Sequence, residues 1–187
     1  MKNIFFILFV TFYCSSAFAQ QLPTDENGKI SFLKVVKADS LKSGVLYYNA
    51  KTWLSAKGYV IEKADSIGGQ IVAKYVFPVY DKGYVTKKLN GKISCNFIVE
   101  VKDNKYRYQF IDFVFAYFKE DRNYKFVATG KKKNLEEPSA KGWQPLWDQH
   151  KKTTFSVIND QAASLKSAMV FIAKSPEITE KKKTIDW

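Results

Sequence analysis

Histidine occurs once in the 187 residues and cysteine twice, and no apolar stretch approaches the length needed to cross a bilayer as a helix, roughly 20 residues. Each shortage excludes something. His150 lies between Gln149 and Lys151 with no cysteine or acid at ligand spacing, so zinc motifs are excluded and the residue reads as a surface or rim histidine. Cys14 falls in an N-terminal leader, which leaves Cys95 alone in the mature chain and rules out an intramolecular disulfide. Nothing near Cys95 in sequence lowers a thiol pKa, and it reads as a small buried hydrophobe. No pair of carboxylates, nucleophile with a base, or phosphate loop is present. Gly68-Gly69 lacks the following helix that would hold an anion and reads as a hairpin turn. An enzyme would have to assemble from distant groups such as Asp112, His150, Tyr106 and Tyr117, which are short of general bases. The expectation is a non-enzymatic chain with no metal and no cofactor.

The leader has the form of a secretory signal. Lys2 precedes the ten-residue stretch Ile4–Tyr13, and Ala17-Phe18-Ala19 supplies a small-x-small cleavage site before Gln20. Tyr13 directly before Cys14 argues against lipoprotein processing. Residues 1–19 are therefore read as a signal peptide, 20–175 as one domain and 176–187 as a basic tail containing Lys181-Lys182-Lys183. The product is expected to be exported, periplasmic or secreted, without a transmembrane segment in the mature chain. The net charge is +12, of which the leader supplies one lysine and no acid. A basic balance of this size favours anionic partners such as lipid headgroups or acidic glycans, and export makes nucleic acid the least available of them.

What is there is mostly strand signal. Ile93, Cys95, Phe97, Val99 and Val101 alternate with Ser94, Asn96 and Glu100, and after the turn Lys102–Lys105 the residues Tyr106, Tyr108 and Phe110 alternate with Arg107 and Gln109. Continued alternation would place Asp112 in the core, so a bulge near Ile111-Asp112 is expected, turning Phe113, Phe115 and Tyr117 inward. Ile30–Val36, Tyr59–Lys63 and Gln70–Tyr80 read as further strands, with Pro78 marking an edge. Leu41–Lys57 has the helical period, with Asp39 or Ser40 as N-cap, Gly58 as the C-terminal left-handed residue, and Tyr47, Tyr48 and Trp53 as core or core-rim aromatics. Asp81–Gly91 and Lys119–Gly142 read as loops, the latter carrying Lys131-Lys132-Lys133. Trp143–Trp147 begins a helical or one-turn segment. A long amphipathic helix covers Thr154–Lys174 through Phe155, Ile158, Ala162, Leu165, Met169 and Ile172.

The order strand, helix, strands, helix predicts an α+β fold, a curved antiparallel sheet with two helices packed on one face. Leu22-Pro23-Thr24-Asp25-Glu26-Asn27-Gly28-Lys29-Ile30, the run Leu46-Tyr47 through Ala50-Lys51 to Trp53, and Gly69-Gln70-Ile71-Val72-Ala73-Lys74 resemble an exported bacterial family known as domain of unknown function 4468. The resemblance spans about Leu22 to Ile111. It implies a TBP-like fold and export, and assigns no functional residue. TATA-binding proteins grip DNA with wedge phenylalanines and basic residues on an open sheet face. Here that face offers Lys74, Val76, Asn96, Ile98, Glu100, Arg107 and Gln109, which does not fit duplex DNA. The expected function is binding of an envelope protein or glycan through Lys74, Val76, Ile98, Arg107 and Gln109. The alternative is electrostatic adhesion to anionic surfaces through Lys131, Lys132, Lys133 and the tail lysines.

Overall fold

A computed structural model of the chain describes residues 22–81, 87–139 and 142–170. The signal segment, Ile172 and the lysines of the tail lie outside them. The elements in chain order are β1 (Phe32–Lys37), α1 (Ser43–Ala56), β2 (Val60–Asp65), β3 (Gln70–Tyr80), β4 (Leu89–Lys102), β5 (Lys105–Glu120), β6 (Phe126–Asn134) and α2 (Gln144–Met169). All strand pairs are antiparallel, in the order β1-β5-β4-β3-β2 with β6 also on β5. After β1 the chain crosses by α1 to the far edge, and β2 to β5 meander back until β5 meets β1. This is the expected α+β sheet with two helices.

Both helices lie on the face that carries the alternating apolar set. Ile93, Cys95, Phe97 and Val99 of β4 are fully buried there, with Ile71, Ala73, Phe77 and Val79 of β3. On α1 the buried stripe is Leu46, Ala50, Trp53 and Leu54, and on α2 it is Trp147, Ile158, Leu165 and Met169. The Trp53 ring packs 5.9 Å from Phe97, and Trp147 packs edge-on to Phe115 at 5.5 Å. A fully buried side chain of this size stabilises by about 1.5–3 kcal/mol, which is why an amphipathic stripe rather than propensity docks each helix. Tyr48 lies outside the stripe and is exposed, unlike its expected place at the core rim.

The register confirms the bulge. It shifts between Ser94 and Asn96 opposite residues 111–114, where Asp112 has φ 56°, is exposed, and accepts a 3.0 Å bond from Asn96 Nδ2. Phe113 and Phe115 are thereby buried, because one extra residue swaps the faces of everything after it. Pro78 also sits where expected: β2 pairs with β3 only through Gln70–Lys74, so the second half of β3 has a free edge that does not need the missing N–H.

Three expectations are corrected. Lys119–Gly142 is not all loop, since Phe126–Asn134 forms β6 and places Lys131, Lys132 and Lys133 on a strand. Gln144–Met169 is one continuous helix, started by Pro145, whose fixed φ suits the first turn. The N-terminus of α1 is capped neither by Asp39 nor by Ser40. Asp103, in the β4–β5 turn, accepts a 2.8 Å bond from Ser43 N and one of 3.3 Å from Lys42 Nζ, and these bonds hold its carboxyl below the usual range. At the other end Gly58, φ 73°, closes α1 as expected, with Tyr59 N bonding Leu54 O and Gly58 N bonding Ser55 O.

Gly91 occupies a place where space decides. A Cβ there would stand 2.4 Å from Ala116 O and 2.5 Å from the Phe115 ring. Gly91→Ala is expected to cost about 1–3 kcal/mol by overpacking, read as a lowered urea midpoint at unchanged slope.

Candidate docking face

Among the described residues, alternation leaves the opposite face of the sheet without a helix. Register aligns its side chains in rows: Val35–Arg107–Glu100–Gln70, then Leu33–Gln109–Ile98–Val72, then Ile111–Asn96–Lys74, and Val114–Ser94–Val76. Leu33, Val35 and Val76 are 56, 60 and 47 % exposed, and Val72, Ile98, Ile111 and Val114 are half-buried by their neighbours. The result is an aliphatic band across four strands. Five proposed binding residues are therefore brought together: Lys74, Val76, Ile98, Arg107 and Gln109 all lie on this face. Sequence reasoning missed Leu33, Val35, Val72, Ile111 and Val114, whose membership depends on strand register.

The polar groups on the face fall into two kinds. Some are already partnered: Arg107 Nε donates to Glu100 Oε2 at 2.9 Å and Nη2 donates to the same oxygen, while Gln70 Nε2 holds Glu100 Oε1 at 3.0 Å and Gln109 Nε2 donates to Ser31 Oγ at 3.1 Å. Arg107 is thus tied to Glu100 and is not a free cation. Lys74, by contrast, forms no ion pair among the described residues, and Lys92 is engaged over the Phe118 ring, 5.3 Å from its centre.

The lysine cluster splits between the two faces. Lys132 pairs with Ala116 on the open side, whereas Lys133 pairs with Phe115, reaches back over the Trp147 ring at 5.4 Å and donates to Pro138 O.

His150 is neither surface nor rim. It is fully buried on α2, stacked on Phe115 at 5.2 Å, with Nε2 2.8 Å from Asn90 Oδ1. Nδ1 has no hydrogen-bond partner among the described residues. Burial pushes its pKa down to about 4, against the pull of Asp81 in the other direction. Burial likewise pushes the Cys95 thiol up to about 12, which keeps it protonated and inert. The four groups considered for an assembled catalytic site are scattered. Asp112 is on the exposed bulge, Tyr106 is buried opposite Val36 and Val101, and only His150 and Tyr117 approach each other, across the Phe115 ring.

With this geometry in place, comparison with known proteins assigns the fold. Residues 32–116 match the model of a family described as a domain of unknown function (DUF4468) with TBP-like fold. The DUF4468 likeness covers β1 to the middle of β5, so it includes the rows of the open face. No curated protein matches. Two crystal structures resemble the chain. A TBP-like protein from Parabacteroides distasonis ATCC 8503 superposes with a TM-score of 0.62 at 16 % identity, over 79 % of this chain and 96 % of its own. A DUF4468 family protein from Bacteroides ovatus ATCC 8483 gives 0.62 at 14 % identity, over 86 % and 95 %. The chain has a TBP-like α+β fold.

Proposed function

We propose that this chain is an exported, non-enzymatic binding domain that docks an envelope protein on its uncovered sheet face. The observation that carries this reading is the aliphatic band Leu33, Val35, Val72, Val76, Ile98, Ile111 and Val114, which spans four strands and meets no helix among the described residues. An uncovered apolar band of this kind marks an interaction surface more often than scattered single residues do. Lys74, without an ion pair among the described residues, favours a partner with an acidic group beside an apolar centre. Export is supported by the signal-like residues 1–19. Adhesion through Lys131–Lys133 is the weaker reading, because the Lys133 ammonium is already engaged by Trp147 and Pro138.

A photo-crosslinking residue placed at Val76 in living cells tests the proposal, with the same residue at the exposed helix position Tyr48 as comparison. A discrete adduct is expected from Val76 only, and Ile98→Glu is expected to reduce it at least about tenfold, the effect of a charge buried at an apolar contact. Equal adducts from both positions, or none from Val76, would overturn it. An adduct with a glycan instead of a protein would reassign the partner class.

A further inference from the structure

β1 is a terminal strand. Among the described residues it pairs only with β5, so every second N–H and C=O along it faces away from the sheet. At its start Ser31 N is satisfied by Pro23 O at 2.9 Å, and beyond that no backbone partner on this side occurs among the described residues. Natural sheets blunt such edges, most often with lysine. The lysines here have a particular setting. Lys34 stands on the helix side of β1 together with Phe32 and Val36, where a core residue would be expected, because α2 leaves a groove beside the strand. That groove comprises a cleft of about 400 Å³ lined by Lys34, Lys37, Tyr108, Asn159, Ala162 and Lys166. A second cleft of about 210 Å³ shares Lys34, Tyr108, Asn159 and Ala162, so the groove follows β1. Ala162 provides the room. No acid lines either cleft, and none of the three lysines is in an ion pair among the described residues.

We propose that the edge of β1 takes up an extended polypeptide strand in which acidic and aliphatic residues alternate. Its backbone continues the ladder, its acidic side chains enter the groove against Lys34 and Lys166, and its aliphatic side chains lie beside Leu33 and Val35 on the other face. Cross-strand neighbours share a face, so one alternation satisfies both sides at once. The same lysines repel a second copy of β1 laid against the first, which separates recognition of an acidic strand from edge-to-edge aggregation. A free small anion would use the lysines but leave the ladder unpaired.

This inference shares Leu33 and Val35 with the docking-face proposal but fails separately from it, since Lys34 and Lys166 project from the helix side and the photo-crosslink is read at Val76. The test is titration of the purified chain, followed by amide NMR shifts, with the peptide Val-Glu-Val-Glu-Val-Glu-Val. The comparison peptide has the same composition in blocks, Glu-Glu-Glu-Val-Val-Val-Val. The alternating peptide is expected to shift β1 and residues 159–166 and to bind at least about tenfold more tightly than the block peptide. Lys34→Glu combined with Lys166→Glu is expected to weaken it by about tenfold or more, from two reversed charge pairs. Both positions are exposed, so the double variant is expected to keep its fold, which its NMR spectrum reports directly. Equal binding of the two peptides, binding indifferent to the charge reversal, shifts confined to Val72, Val76 and Ile98, or no binding at all would overturn the proposal.

Discussion

Phe97→Ala is expected to destabilise the domain by about 3–5 kcal/mol, whereas Ile98→Ala, one residue along the same strand, costs about 1 kcal/mol or less. Phe97 is fully buried at the centre of β4. Its ring lies 4.6 Å from Phe110, 5.5 Å from Tyr59 and 5.9 Å from Trp53, so truncation opens a cavity where α1 meets the sheet. Trp53 is held from the far side by a 3.0 Å bond from Nε1 to Ser164 Oγ of α2, and it has little freedom to collapse into the space. A domain of this size loses about 2–4 °C of Tm per kcal/mol, which puts the Phe97→Ala transition about 10 °C lower in a thermal scan. Similar losses from the two substitutions would mean that the faces of the sheet are equally buried.

The second large effect is acid sensitivity from one histidine. His150 has a folded pKa of about 4, below the ordinary 6.5, because the neutral ring is buried against Phe115 and Trp147. Between those values the unfolded chain binds the proton and the folded chain does not, so stability rises with pH. The contribution is complete above about pH 6.5 and is lost as pH falls towards 4, on the order of 3 kcal/mol in total. Urea unfolding at pH 7.5 and 4.5 measures it, with His150→Gln as reference because that side chain does not titrate. The wild type is expected to lose about 2–3 kcal/mol more than the variant over this interval. Parallel losses in the two proteins would show that the imidazole is not held neutral.

These two residues also mark what the chain discloses before it folds. Phe97 was legible: strict period-two alternation over Ile93–Val101 fixes which side faces the core, and a carboxylate at Asp112 forces the bulge that keeps the alternation apolar. His150 was not legible, since its partner Asn90 is 60 residues away and a polar neighbourhood in sequence says nothing about burial in space. The same distance hid the Asp103 cap on α1, which is supplied across 60 residues by the β4–β5 turn. β6 escaped notice because Gly130 and three consecutive lysines erase the apolar period, and pairing with β5 makes the strand instead. For the open face, local alternation sufficed to place Val76, Ile98, Arg107 and Gln109 together. Register was needed to add Leu33 and Val35 from the other end of the sheet, and to show that Arg107 is already tied to Glu100.

The asymmetry of the sheet underlies both binding proposals, and chemical labelling of single cysteines measures it most directly. Ile98→Cys and Val99→Cys introduce thiols at adjacent positions on opposite faces, while the native Cys95 is buried and protonated. Modification by a maleimide under native conditions, read at each site by mass spectrometry, is expected to be at least about a hundredfold faster at position 98 than at position 99. That ratio corresponds to about 2.7 kcal/mol of protection against local opening. Equal protection at both positions would contradict an uncovered face, and with it the docking surface argued from it.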